Sequence, residues 1–168
     1  MKILGLDLAG RCGYGHGERA GPFQFGAFDL PGFDDLNRAK SYAGAYSIVQ
    51  ALVRENDIEA VVIEAPLMTV TRKNKRGIST PTSSHGTRVL TMLSGAAQAA
   101  AFSGGARRFW MPEPSQWRKQ VLGAGYPDDP KAAALRYCRL VLKLDVADHN
   151  SAEGLCLMAY GHGHARLI

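Results

Sequence analysis

The chain has only three cysteines in 168 residues, Cys12, Cys138 and Cys156. They are odd in number, scattered and without C-x-x-C spacing, which argues against a disulfide framework and predicts reduced thiols in or near a core. No apolar run reaches the ~20 residues that a membrane-spanning helix needs. Met1 and Lys2 lead straight into a strand-like segment rather than a signal peptide, so the expectation is a soluble cytoplasmic protein. Internal repeats, low-complexity tracts and long linkers are also lacking, which predicts one domain over residues 1–168. Acidic residues are in deficit: 15 Asp and Glu against 20 Lys and Arg leave a net charge of +5, which favours an anionic partner. A hydrophobic content of 46% argues against disorder and suits a sizeable core.

What is present is a small set of acids in telling places. The opening segment MKILGLDLAGRCGYGHG reads as a strand ending on Asp7, a glycine-rich turn and a second strand. A carboxylate at the tip of a buried strand needs a cation, a donor network or water, because an unpaired charge in low dielectric costs several kcal/mol or takes up a proton. The run EAVVIEAP, Glu59 to Pro66, delivers Glu64 at the end of another buried strand, just before a proline that ends pairing. Near the C-terminus, DHNSAEGLCLMAYGH sets Asp148, His149, Asn150 and Glu153 at the start of an apolar helix. Two carboxylates held about 4 Å apart repel by ~4 kcal/mol at an effective dielectric of 20. Convergence of such acids persists where a divalent cation offsets the repulsion, and hard oxygen ligands select Mg²⁺ or Mn²⁺ over zinc.

The patterning predicts strands over Lys2–Leu8, Arg11–Gly17 and Phe23–Leu30, then a helix opened by Asp34 and Asp35. Leu36, Ala39, Ala43, Tyr46, Val49 and Val53 form its expected buried face. The strand carrying Glu64 follows, then a polar loop from Thr69 to Thr82 and a helix from about Ser83 to Ser103 with Val89, Met92, Leu93, Ala96, Ala97 and Ala100 on its apolar side. A fifth strand, Arg107–Met111, and three helices complete an α/β layer architecture. Pro114 suits the first turn of one of these helices, which Gly123 and Gly125 end.

Four segments, GLDLAGRCGYG, VVIEAP, PSQWRKQVLGAGYPDDPK and DHNSAEGLCLMAYGH, together resemble the RuvC-type Holliday-junction resolvases, especially their shorter phage-encoded relatives. The resemblance covers nearly the whole chain. It implies an RNase H-like fold, a five-stranded mixed sheet flanked by helices. It also implies a metal-dependent endonuclease that resolves four-way or branched DNA with two Mg²⁺ ions per active site, Mn²⁺ substituting. Carried onto this sequence, Asp7 would bridge the ions and Glu64, Asp148 and Glu153 would complete the ligands, with His149 and Asn150 as auxiliaries. The family's usual pair of acids three residues apart is here Asn150 and Glu153. Lys119 and Lys131 match DNA-contacting lysines, with Arg118 adding charge. Arg72, Lys73, Lys75 and Arg76, in the loop after Glu64, would meet phosphate. Leu67 or Met68 stands where the family places a side chain that wedges into the branch point. Symmetric cutting of a junction implies a homodimer, expected through the Ala-rich helix around Ser94–Ala101, in a bacterial cell or phage-infected host.

Each residue also has a purely structural reading. Asp7 suits a turn acid at the Gly10-Arg11 bend, Glu64 a salt-bridged strand end, and Asn150-x-x-Glu153 a capping box. Trp117 reads first as a core aromatic, His162 and His164 as a solvated tail, and Arg136, Arg139 and Lys143 as a DNA track or a solvated face. Two functional alternatives follow: a catalytically silent RNase H-like nucleic-acid-binding module, and a related nuclease acting on forks or structured RNA. An actin-like or sugar-kinase-like ATPase needs two such domains, for which the chain is too short.

Overall fold

The computed structural model describes residues 1–66, 71–73, 79–81, 84–123, 125 and 127–165, without the side chains of 71–73, 79–81, 84 and 85. Strands β1 (Ile3–Asp7), β2 (Arg11–Gly17) and β3 (Phe23–Asp29) form an antiparallel meander. Helix α1 (Arg38–Glu55) crosses over to β4 (Ala60–Ile63), which pairs parallel with β1. Two short antiparallel strands follow, β5 (Thr71–Lys73) and β6 (Ser79–Pro81), then helix α2 (Ser84–Gly104) and β7 (Arg108–Trp110), parallel to β4. Helices α3 (Pro114–Leu122) and α4 (Pro130–Tyr137), a π-helical turn (Cys138–Leu142) and α5 (His149–His164) complete the described chain. The larger sheet has the order β3-β2-β1-β4-β7, the five-stranded mixed sheet that the sequence predicts.

Strand alternation sorts the two faces. Leu4 and Leu6 of β1 and Val61 and Ile63 of β4 pack with Val49 and Val53 of α1 and Ala97, Ala100 and Ala101 of α2. Ile3, Ala60 and Val62 face the other way, onto Trp117, Ala134 and the apolar side of α5. By the same two-residue period, Asp7 and Glu64 belong to the α5 face.

Helix α5 lies directly on the β1–β2 pair because glycines line the contact. A Cβ at Gly5 would collide with the Gly154 carbonyl oxygen, and one at Gly13 with that of Asn150. From the helix side, a Cβ at Gly154 would come within 2.6 Å of the Tyr14 backbone. Gly13 pairs with Asp7, so the first turn of α5 is seated beside the strand end that carries the first acid.

Several expectations are corrected. Helix α1 starts at Arg38, not at Asp34 or Asp35, because the Asp34 carboxylate accepts from the Leu36 and Asn37 amides and closes a separate turn. Its buried register is Ser41, Ala45, Val49 and Val53, while Leu36, Ala39 and Ala43 are exposed. Ser41 is tolerated inside because its hydroxyl bonds to the Gly32 backbone. On α2, Met92 faces solvent although the periodicity assigns it to the core. The stretch expected as a polar loop contains β5 and β6, whose Thr and Ser residues suit strand pairing.

The seating of α5 gives a stability test. Gly13→Ala is expected to destabilise the protein by about 1–3 kcal/mol, the range for overpacking a filled contact, in urea unfolding. Gly10→Ala, where the added methyl meets nothing within 4 Å, serves as the control.

Candidate active site

The two strand-end acids are neighbours because their strands are. β1 and β4 are in parallel register up to Leu6 opposite Ile63, and the Glu64 amide continues the ladder to the Leu6 carbonyl at 3.4 Å. One step further along, Asp7 and Glu64 project to the same face. Glu153, in the second turn of α5, reaches them from above and is 8% exposed. The three positions are far apart in sequence, yet their charges act on one another.

Burial raises the Asp7 carboxyl from an ordinary value of 3.8 to about 8. Glu153 and Glu64 push it further up, while Arg118 and Lys131 pull it down. Glu153 is raised by burial and by Glu64, against the same two cations. Glu64 is raised by burial, opposed first by a hydrogen bond from Trp117 and then by Arg118. Burial and mutual repulsion thus outweigh the positive charge at hand.

Helix α3 supplies the nearest compensation. Trp117 is fully buried, as its reading as a core aromatic requires, and its indole Nε1–H donates to Glu64 Oε2 at 2.6 Å. Arg118 Nη2 stands 4.0 Å from Glu64 Oε2 and 3.8 Å from Glu153 Oε1, with the guanidinium 5.1 Å from the Trp117 ring centre. The Trp117–Glu64 bond was not anticipated from the sequence. The available signal was that a buried indole N–H needs an acceptor.

Asp148 is placed differently from these three. It is the N-cap of α5, accepting from the Ser151 amide at 2.9 Å and hydroxyl at 2.8 Å, and from the Asn150 side-chain amide at 3.3 Å. Arg11 Nε lies 3.7 Å away. Partial burial pushes its carboxyl up, but the Ser151 bonds, the Arg11 charge and the Asn150 bond prevail, and its pKa is lowered. The capping box on Asn150 therefore does not form, which leaves Glu153 free of any capping role. His149 begins α5, half-buried, beside the cap.

Among the basic residues, Lys131 in the first turn of α4 is exposed yet close enough to act on both Asp7 and Glu153. Lys119, Arg136, Arg139 and Lys143 are exposed along α3, α4 and the π-helical turn. Arg72 and Lys73 lie on β5, with side chains outside the described residues, as are Leu67, Met68, Lys75 and Arg76 altogether. His162 and His164 do not form a solvated tail. His162 Nε2 lies 3.1 Å from the Gly17 carbonyl oxygen, and His164 stacks on Tyr160 with ring centres 5.6 Å apart. The thiols of Cys12, Cys138 and Cys156 are free and buried, as expected.

The donor chemistry of Asp7, Glu64 and Glu153 is all carboxylate oxygen, which fits a hard divalent cation such as Mg²⁺. Among the described residues, however, no three Asp, Glu, His or Cys side chains already close on a point that would hold a metal ion. The cation that stands between Glu64 and Glu153 is the Arg118 guanidinium. No helix of the described residues is long and apolar enough to cross a membrane.

Comparison with protein families and with curated protein sequences finds no match. Comparison with solved structures finds RuvC of Thermus thermophilus, with a TM-score of 0.71 at 18% identity over 99% of this chain and 96% of that one. RuvC from T. thermophilus in complex with Holliday junction substrate matches over the same shares with a TM-score of 0.71 at 17% identity. The fold is that of RuvC, and the expected RNase H-like architecture is borne out.

Two measurements follow from the charges. Metal-free protein is expected to lose stability as pH rises from 3.8 towards about 8, because folded Asp7 keeps its proton across that window while the unfolded chain has released it. Asp7→Asn should flatten this decline in urea midpoints taken across the window. Trp117→Phe removes the indole donor and should raise the Glu64 pKa further, read by carbon NMR titration, and destabilise the fold by about 1–3 kcal/mol.

Proposed function

We propose that this protein is a metal-dependent endonuclease that cuts four-way or otherwise branched DNA. The observation that carries the reading is the convergence of Asp7, Glu64 and Glu153, each with its pKa raised and the three electrostatically coupled, on a scaffold with the fold of RuvC. A buried acid trio is costly to fold, and carboxylates arranged at such expense suit cation binding rather than packing.

Asp7, on which both Glu153 and Glu64 act, would be the shared ligand, with Glu64 and Glu153 completing the set. Asp148 would join them as a fourth carboxylate through Oδ1, since its Oδ2 is engaged by the Ser151 amide and hydroxyl. Asn150, one turn before Glu153, offers a neutral oxygen on the same side of α5. Two Mg²⁺ or Mn²⁺ ions held there would activate the attacking water and stabilise the leaving 3′ oxygen. The remaining work falls to the chain itself. Trp117 fixes the orientation of Glu64 through its 2.6 Å bond. Arg118 and Lys131 put positive charge beside the acids, where a phosphate backbone would approach, and exposed Lys119 on α3 would add to it. Arg72, Lys73, Lys75 and Arg76 extend that charge along the segment after β4, with Leu67 or Met68 as the junction wedge. Such a substrate belongs to the cytoplasm of a bacterial or phage-infected cell.

Symmetric cutting needs a second copy. The expected small-residue face of α2 divides in two: Ser94, Ala97, Ala100 and Ala101 are buried within their own chain, whereas Gly95 and Ala99 are exposed between Met92 and Phe102. Phe102 is 73% exposed, a large apolar ring that a twofold contact would cover.

The test uses labelled four-way junction, fork and linear duplex. Paired symmetric nicks in the junction are expected with Mg²⁺, lost with EDTA, and reduced about 10³-fold or more in Asp7→Asn, Glu64→Gln and Glu153→Gln. Binding without cutting, equal in wild type and Asp7→Asn, would instead establish a silent binding module. Size-exclusion mass should show a dimer that Gly95→Trp converts to a monomer. A wild-type monomer, free and on DNA, would contradict the α2 interface.

A further inference from the structure

Arg118 is held in an unusual way. A guanidinium built as a structural clamp meets a carboxylate at about 2.7–2.9 Å, commonly through two parallel bonds. Here Nη2 stays 4.0 Å from Glu64 and 3.8 Å from Glu153, within ion-pair range but beyond hydrogen-bonding distance of both. Its Nε–H is buried and, among the described residues, finds no acceptor. The side chain is 19% exposed and lies against the Trp117 ring. A buried donor left unpaired destabilises the arrangement that leaves it so. Among the described residues, attraction from two acids on different elements and the face of one indole keep the arginine in place.

The neighbouring groups show what this arginine compensates. Glu64 already receives the Trp117 bond, so its second interaction is charge alone. Glu153 has Arg118 as its ion-pair partner and lies within the influence of exposed Lys131. One monovalent group thus spans two carboxylates that arrive from β4 and α5, and a small divalent cation with oxygen ligands would satisfy both more fully.

We propose that Arg118 is a displaceable counter-cation, which bridges Glu64 and Glu153 in the metal-free protein and must be expelled before a divalent cation can draw these acids together. The proposal rests on the reading of the trio as a metal centre. It has a functional consequence. The expelled guanidinium keeps its charge at the mouth of the site, where a substrate phosphate is the available anion. Metal loading therefore frees the group that receives the DNA backbone, and each event favours the other.

Mn²⁺ binding to the full chain, measured by calorimetry at pH about 8, separates the possibilities in wild type, Arg118→Met, Arg118→Gln, Arg118→Lys and Asp7→Asn. The neutral Arg118 variants are expected to bind Mn²⁺ on the order of tenfold more tightly than wild type. Arg118→Lys should fall between them. A purely structural arginine would give the opposite, since its loss loosens the site. Trp emission in a Trp110→Phe background, which leaves Trp117 as the reporter, should change on Mg²⁺ addition in wild type and Arg118→Met alike, with the midpoint at lower Mg²⁺ in Arg118→Met. Unchanged or weaker Mn²⁺ binding in both neutral variants would overturn the displacement while leaving the metal centre intact. Absence of Mn²⁺ binding in every variant, or binding indifferent to Asp7→Asn, would overturn the metal-centre reading and the displacement with it.

Discussion

The seating of α5 on a glycine-lined strand pair is the constraint on which the rest of the site depends. Side chains normally hold a helix off a sheet, but Gly5 and Gly13 on one side and Gly154 on the other remove them where the two backbones meet. Glu153 is the residue before Gly154, so the close contact fixes its height above the sheet. Asp7 is paired with Gly13, and Glu64 follows the strand beside Asp7. A bulkier contact would lift Glu153 away and dissolve the acid trio without touching any of its members.

Bringing the acids together creates an electrostatic problem that the protein solves only in part. Unit charges about 4 Å apart interact by ~4 kcal/mol at an effective dielectric of 20, for attraction and repulsion alike. One guanidinium shared by two carboxylates cannot neutralise a set of three, and the third acid shows the deficit: Asp7 holds its proton up to about 8. Exposed Lys131 contributes across solvent, which weakens its effect. Trp117 addresses orientation as well as energy, since a buried N–H donor fixes which oxygen of Glu64 is engaged. The outcome is a site in which one acid keeps its proton and the other two share a single guanidinium.

Much of this was legible in the sequence because it rests on short-range rules. Strand patterning located β1, β2, β3 and β4 to within a residue or two, and acids at the ends of β1 and β4 follow from where those apolar runs stop. The α1 face was misjudged because Leu36, Ala39 and Ala43 make a plausible apolar series, whereas the true one contains Ser41, whose burial depends on a backbone partner in the preceding loop. Spacing alone allows Asn150 as the cap of α5, as the structural alternative to a ligand role for Glu153, because the two stand at the interval a capping box requires. Asp148 takes that place because its carboxylate meets both the amide and the hydroxyl of Ser151. Trp117 and Arg118 were recognised separately, as a core aromatic and as a DNA-facing charge. Their shared role at Glu64 depends on a contact spanning 53 residues, which no local pattern encodes.

Asp7, Glu64 and Glu153 are expected to bind a divalent cation together. Anomalous diffraction from crystals grown with Mn²⁺ tests it most directly, because manganese is located independently of the protein atoms. Strong anomalous density among these three carboxylates, with the Arg118 guanidinium moved away from Glu64 and Glu153, is the expected result. Manganese bound elsewhere, or an acid trio still bridged by Arg118 with no metal beside it at saturating Mn²⁺, would contradict it.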